Sequence, residues 1–474
     1  MDESPVVIGY NAVSSVTKRL LCYYGDDFTG STDVLESLFH SGLRTVLFLA
    51  PPAPEVLERF PDVACFGVAG VGRSLTPEEM ETELRPIFTT LKAAGAAVVH
   101  YKVCSTFDSS PGTGNIGKAA EIGRDVFGGR FIPMLVGVPY LGRYTLFGNH
   151  FAMGGGKVHR LDHHPTMSMH PVTPMAESDL RKHLAKQTAL RTALLDILAL
   201  DGTDAQVRER LEKVIQQEKP DLLLFDVLDE RRLEAAGRLI SDEAAEQEGI
   251  FVIGSSGVEY ALGAIWRKAL GTSAGAGTET PKRESSQVSP SPLLVISGSC
   301  SPVTEEQIQF ALEAGFVGIR VPTIELLMEE TQEAARVKLQ LEAGQWLSQG
   351  KNVMMYSATG PNDESIAALR EVLADKGIRA EESSRLLGMA LGSVAKELVR
   401  QLGITRILIA GGDTSGYVTR ELGVYAIECI AALDPGGPLC RAYAKDPQFE
   451  GLELVLKGGQ VGTANFFEKV AGYR

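Results

Sequence analysis

The sequence has no apolar run of the roughly 18–20 residues that a membrane span requires, so a bilayer-crossing helix is not expected. Cysteine is sparse. The six, Cys22, Cys65, Cys104, Cys300, Cys429 and Cys440, include no C-x-x-C pair, which counts against a zinc knuckle and against a disulfide framework. Basic charge is also short: 46 Lys and Arg stand against 60 Asp and Glu, a net charge of −14, and no long basic run interleaves with aromatics. A nucleic-acid surface needs such a positive stripe, so no nucleic-acid partner is expected. Two enzyme signatures are missing as well. No strand-like run leads into G-x-G-x-x-G with an acidic residue about twenty positions on, which argues against a dehydrogenase, and no H-E-x-x-H marks a zinc site. The opening MDESPVVIGYNAVSSVTKRL starts acidic and lacks the basic and apolar regions of a secretory signal, which gives a cytoplasmic expectation.

What is present is an ordinary globular composition, 44% hydrophobic and 22% charged, in a chain of 474 residues that is too long for one ordinary core. Residues 271–292, GTSAGAGTETPKRESSQVSPSP, offer almost nothing to bury and read as a linker between residues 1–270 and 293–474. On both sides, short aliphatic runs alternate with longer helical patterns. LLCYYG, TVLFLA, AVVHYKV, DLLLFDV and IFVIGS precede the linker, and LLVISGS, VGIRVP, VMMYSA, RILIAGG and LELVLKGG follow it. The alternation predicts two α/β domains with mostly parallel sheets, a Rossmann-like N-terminal domain and a ligand cleft between the domains. Leu180 to Leu200 keeps apolar residues at helical spacing and is expected to be one surface helix.

Several strand-like runs end directly in Gly or Ser, and in open parallel sheets ligands bind beyond such strand ends. YYGDDFTGSTD at 23–33 places Asp26 and Asp27 at one of them, where adjacent carboxylates can cap a helix, bind a metal or accept a proton from a hydroxyl. HYKVCSTFDSSPGTGNIGKA at 100–119 adds the cation Lys102, the hydroxyls of Ser105, Thr106 and Ser109, and a glycine loop. From Gly112 to Lys118 that loop has P-loop spacing, but Ala119 stands where a hydroxyl should hold Mg²⁺. A third stretch, residues 149–175, holds five of the eight histidines, His150, His159, His163, His164 and His170. Prolines break it, so structural or substrate-contacting roles are favoured over a metal site.

The C-terminal half carries three Gly/Ser turns after strand-like runs: SGSCSP with Ser299, AGGDTSG with Gly411, Gly412, Asp413 and Thr414, and LKGGQVG with Lys457 and Gly459. Free N–H groups, hydroxyls and one lysine make together a candidate polyphosphate cradle.

GDDFTGSTD, KVCSTFDSS with GNIGKA, GRYTLFGNHF followed by HPVTPM, SGSCSP, AGGDTSG and LKGGQVG occur in the order seen in the four-carbon acid sugar kinases, and the chain resembles that family from about residue 20 to its end. The resemblance implies a two-domain ATP-dependent kinase that phosphorylates the terminal hydroxyl of a short sugar acid. It implies that the N-terminal domain holds the acid, near Asp26, Asp27, Arg73, Lys102, Ser105 and the Asn115 loop, with His170 in the same half. ATP is then expected at Ser299, Gly411 to Thr414, Lys457 and Gly459, with Mg²⁺ on its phosphates assisted by Asp413. The near P-loop would face the acid. Departures include about twenty residues ahead of the first strand, AGGDTSG for AGGETSG, LKGGQVG for LKSGNFG, and a distinctive RLDHHPTMSMHPVTPM, which resembles the subgroup acting on 3-oxo-isoapionate, so that the resemblance implies either 3-oxo-isoapionate or an unbranched 3-oxo-tetronate as the acid. Asp26 or Asp27 is the expected base and Arg73 or Lys102 the expected carboxylate ligand. The only expected partner is the small acid, with a homodimer as the assembly considered. A P-loop NTPase built on Gly112–Lys118 and a non-catalytic sugar-acid sensor are the competing readings.

Overall fold

The computed structural model describes residues 19–170, 172–247, 249–270 and 291–473. Most of the expected linker, 271–290, and the residues ahead of 19 lie outside that set. Its strands run in chain order as β1 Leu21–Gly25, β2 Thr45–Phe48, β3 Cys65–Ala69, β4 Val98–Lys102, β5 Ile132–Leu135, β6 Arg143–Leu146, β7 Asn149–Gly154, β8 Lys157–Arg160, β9 Thr192–Leu195, β10 Leu222–Phe225, β11 Ile250–Gly254, β12 Leu294–Ser297, β13 Val317–Arg320, β14 Val353–Tyr356, β15 Arg406–Ala410, β16 Val424–Asp434, β17 Gly437–Ala444 and β18 Glu453–Lys457. The chain divides into two compact units, residues 1–45 with 50–277 and residues 46–49 with 278–474.

The first unit is built on the parallel sheet β3-β1-β4-β11-β5-β10-β9. Its central strands are buried on both faces, as their unbroken aliphatic sequences require: β1, β4 and β11 expose no residue. Gly25 of β1 lies level with Lys102 of β4, so the chain leaves both strands at the same sheet end. A small antiparallel meander, β6-β7-β8, takes in the start of the histidine-rich stretch, with His150 and His159. The expected helix over Leu180 to Leu200 is not formed as one piece. A short helix spans Leu180–Leu184, and Thr192–Leu195 is instead the edge strand β9, alternating half-buried and buried residues. Four residues satisfy either period, and here a free sheet edge decided for the strand.

The second unit has the order β13-β14-β12-β15-β18, all parallel, and continues antiparallel through β17 and β16. Residues 46–48 complete it, pairing antiparallel with β16: Val46 lies opposite Glu428, Leu47 opposite Ile427 and Phe48 opposite Ala426. A four-residue piece from early in the chain thus pairs with a strand formed by its last two hundred residues. Leu293, Val295, Met354, Leu408, Val455, Phe466 and Phe467 form the core of this unit.

Candidate functional site

The ends of β1, β3 and β4 gather the N-terminal candidates. Asp27 caps the helix Phe28–His40, its Oδ1 accepting from Gly30 N. Its Oδ2 lies 2.6 Å from Arg73 Nη1, and Arg73 Nη2 is 3.7 Å from Asp26 Oδ1. Asp26 is 4% exposed, and its Oδ1 is buried with no hydrogen-bond partner. Burial pushes its carboxyl up to about 7, against the pull of Arg73 and with a further push from Asp27. Burial alone would lower Arg73; the Asp27 and Asp26 carboxylates outweigh it and hold the guanidinium well above its ordinary value.

Arg73 is held in place by its neighbours. Tyr24 and Tyr101 stack with ring centroids 5.9 Å apart beneath the turn, and Tyr24 Oη accepts from Val71 N at 3.1 Å. Arg73 N donates to Asp26 O at 3.0 Å, and Gly114 N to Leu75 O at 2.9 Å. Gly114 has φ +59°, and a Cβ there would stand 2.6 Å from Arg73 O. The near P-loop therefore packs its glycine on the backbone of Arg73. Its lysine points elsewhere: Lys118 Nζ pairs with Glu81 at 2.7 Å, and Ala119 is buried.

Lys102 is fully buried at the end of β4, and among the described residues its one ion pair is Asp33 Oδ2 at 3.5 Å. Burial lowers its pKa, but Asp33 and Asp27 prevail and leave it raised. In the following loop Thr106 Oγ1 donates to Asp108 Oδ1 at 2.5 Å, and Phe107 between them takes φ +55°, a left-handed conformation costly for an aromatic residue. Asp108 stays below its ordinary value because Arg73 and the Thr106 hydroxyl overcome its burial.

Other expected residues serve the scaffold. Asn115 caps the helix Ile116–Phe127, Oδ1 accepting from Lys118 N at 2.6 Å and Nδ2 donating to Pro111 O at 3.1 Å. Ser105 offers its carbonyl to His150 Nε2 at 2.8 Å; His150 is fully buried, and burial lowers it to about 4. His170 Nδ1 accepts from Thr173 N at 3.0 Å, and His164 Nδ1 from Thr166 N and Met167 N at 3.2 Å each. These histidines knit a loop together, and among the described residues no group of three or more His, Cys, Asp or Glu is arranged to hold a metal ion.

In the second unit the three Gly/Ser turns follow β12, β15 and β18, which are adjacent in the sheet, and they meet. Thr304 Oγ1 lies 3.0 Å from Ser299 Oγ and 2.9 Å from Gly459 O, and it accepts from Lys457 Nζ at 3.0 Å. Ser301 caps the helix Pro302–Glu313 and donates to Gly459 O. Gly411 N donates to Lys457 O at 2.9 Å, and Gly411, at φ +121°, precedes the helix Gly412–Glu421. Two glycines lie too close to neighbouring hydroxyls for any side chain: a Cβ would stand 2.1 Å from Thr414 Oγ1 at Gly298 and 2.7 Å from Ser299 Oγ at Gly459. Lys457 is 1% exposed, its side chain bonds among the described residues to the Thr304 hydroxyl alone, and burial lowers it to about 7. Asp413 is exposed in the first turn of its helix. This cluster combines glycine turns, hydroxyls, two helix N-termini and a buried lysine without a carboxylate, and its chemistry suits a phosphate chain.

Sequence reasoning assigned no role to Asp33, Thr304 or Asp226. Thr304 was legible as the third residue after the cap Ser301, a spacing at which side chains turn back on the helix start. Asp226 is fully buried at the end of β10 and accepts from Phe147 N, Gly148 N and Ile197 N. It holds the β6–β7 turn, where Phe147 has φ +50°.

Two family models cover the chain, a sugar-binding N-terminal domain over residues 21–262 and a nucleotide-binding C-terminal domain over residues 294–467. The sequence is 44% identical to a 3-oxo-isoapionate kinase of Paraburkholderia graminis over 98% of this chain and 96% of that protein. It is 30% identical to a 3-oxo-tetronate kinase of Pseudomonas fluorescens over 96% of this chain and 97% of that protein. A solved Salmonella typhimurium structure superposes with a TM-score of 0.75 at 27% identity, covering 95% of this chain and 98% of that one. A Haemophilus influenzae structure, with a TM-score of 0.70 at 23% identity and 95% and 99% coverage, shares the fold.

Proposed function

Because the chain belongs to the four-carbon acid sugar kinase family, we propose that it transfers the γ-phosphoryl group of ATP to the terminal hydroxyl of a short 3-oxo sugar acid, and that the acid is 3-oxo-isoapionate. The observation that carries the acid is the 44% identity, over nearly the whole of both chains, to a kinase named for it, against 30% to a 3-oxo-tetronate kinase.

Phosphoryl transfer asks little covalent chemistry of a protein; it asks for alignment, charge neutralisation and exclusion of water. The cluster at Ser299, Gly411 and Gly459 supports a nucleotide phosphate site, since among the described residues Lys457 has no carboxylate partner and its surroundings are hydroxyls, glycine backbone and two helix starts. Thr304 and Ser301 would hold the turn shut beneath the phosphates. Mg²⁺ would neutralise phosphate charge there. Asp413, exposed at the helix start, is the carboxylate at hand, in keeping with the habit of Mg²⁺ of taking one or two carboxylates plus substrate phosphates.

In the first unit the acid's carboxylate would be taken by Lys102, whose ammonium has a single long ion pair to Asp33. Arg73 is less free, since its two terminal nitrogens already face Asp27 and Asp26. The test is ADP release from Mg-ATP against 3-oxo-isoapionate, 3-oxo-tetronates of both configurations, threonate and erythronate, with mass spectrometry of the product. Turnover with 3-oxo-isoapionate and a gain of one phosphate is expected. A clear preference for an unbranched 3-oxo-tetronate would overturn the assigned acid and keep the kinase, while ATP binding without turnover on any acid would reopen the substrate class.

A further inference from the structure

In such a transfer the attacking hydroxyl gives up a proton, and a carboxylate in reach of it is the natural acceptor. Two adjacent aspartates stand at the end of β1, and their surroundings differ. Both oxygens of Asp27 are engaged by the protein, Oδ1 by the helix start at Gly30 and Oδ2 by Arg73 at 2.6 Å. Asp26 is almost entirely buried; its nearest cation, Arg73, is 3.7 Å away, and among the described residues its side-chain Oδ1 has no hydrogen-bond partner. Buried polar groups in folded proteins are bonded in roughly nine cases of ten, so an orphan of this kind calls for a partner from outside the chain.

We propose that Asp26 accepts the proton of the substrate hydroxyl and that Asp27 is a positioning residue, fixing Arg73 and the first helical turn so that the Asp26 carboxylate is left open to the substrate. The inference rests on the kinase reading and sharpens it. As the hydroxyl oxygen bonds to the γ-phosphorus, the bond from that phosphorus to the bridging oxygen breaks and ADP leaves with the electron pair. The hydroxyl proton goes to Asp26 and then to water, so one alcohol and one ATP give one phosphate ester, one ADP and one proton.

The charged and titratable groups facing Asp26 come from each element around it. They are Asp27 at the helix cap, Arg73 in the turn after β3, Lys102 at the end of β4, Asp108 in the loop beyond, and the buried phenols Tyr24 and Tyr101. Burial is the largest influence and raises the carboxyl; Arg73 and Lys102 pull it down, and Asp27 and Asp108 push it up, to about 7. A base balanced near neutrality suits proton transfer at the operating pH.

The experiment is the pH dependence of kcat and kcat/KM for the wild-type enzyme, Asp26→Asn and Asp27→Asn, with Mg-ATP and 3-oxo-isoapionate. Wild-type turnover should rise through an acid limb near neutrality, because the base works only when ionised. Asp26→Asn should lose at least about a hundredfold in kcat and lose the limb with it. Asn remains a good helix cap, so Asp27→Asn should keep measurable turnover. Its limb should move to lower pH, since the negative neighbour that favoured the protonated form of Asp26 is gone. Thermal unfolding checks that each variant is folded, and if Asp26→Asn fails to fold, the Asp27→Asn profile decides alone. Loss of the limb in Asp27→Asn, or its survival in a folded Asp26→Asn, overturns the assignment while leaving the kinase intact. A wild-type enzyme that turns over no sugar acid removes the reading beneath it.

Discussion

The two polar clusters of this protein are opposites in how they treat charge. In the first unit Asp26, Asp27, Asp33 and Asp108 crowd around Arg73 and Lys102, and nearly every charge faces another of opposite sign. In the second, Lys457 stands among hydroxyls, glycine backbone and helix starts with no acid acting on it. Dense pairing makes a rigid frame in which a ligand meets fixed donors and acceptors, and it suits a small hydroxylated acid. A lone buried cation is unstable until an anion arrives, and it suits a phosphate chain. The contrast separates two tasks that sequence motifs alone had blurred, because glycine-rich turns occur in both halves.

The comparison breaks most sharply at Lys457. Lys457→Met removes a charge-assisted contact worth about 1.5–3 kcal/mol, so ATP affinity should fall roughly ten- to a hundredfold, as titration calorimetry would measure. Burial depresses this lysine to about 7, and a bound phosphate favours its charged form, so above neutrality ATP binding should draw a proton from the buffer. Calorimetry in buffers of different ionisation enthalpy would show that uptake, and Lys457→Met should abolish it. If the buffer dependence survives in the variant, the proton belongs to another group.

A smaller effect is expected from Gly114→Ala. The new Cβ would press on Arg73 O in a left-handed conformation that costs about 1–2 kcal/mol, so kcat/KM for the acid should drop roughly tenfold while ATP affinity holds. Equal losses for both substrates would mean that the loop does not serve the acid alone. The smallest effect belongs to Lys118→Ala, which removes a partly exposed ion pair with Glu81 worth at most about 1 kcal/mol and should leave ATP affinity within about twofold. Loss of ATP binding in that variant would restore the P-loop reading.

Much of the frame was readable in advance because buried parallel strands are written as unbroken aliphatic runs. Elements that satisfy weaker patterns were not. β16, VYAIECIAALD, is rich in alanine and carries three register shifts against β17, so no clean alternation marks it. The meander β6-β7-β8 is polar and glycine-rich and is mostly half-buried or exposed, so it offers little burial signal. At the site, sequence named Asp26, Asp27, Arg73 and Lys102, but not which of them face one another. Asn115 has the composition of a ligand residue and the geometry of a cap, a distinction that only three-dimensional placement reveals. The loop glycines likewise gave their spacing but not their contacts, such as that of Gly114 against Arg73.

The position of β2 carries a consequence for how the chain is made and cut. Residues 46–49 leave the ribosome nearly four hundred residues ahead of β16, the strand they pair with. The pairing of β2 with β16 therefore waits for the end of synthesis, and such long-range pairing is a slow kind of step. A fragment that begins after the first unit would leave the backbone of β16 unpaired along one side, ready to recruit another strand. Dividing this chain at its compositional seam would separate β16 from the strand it pairs with.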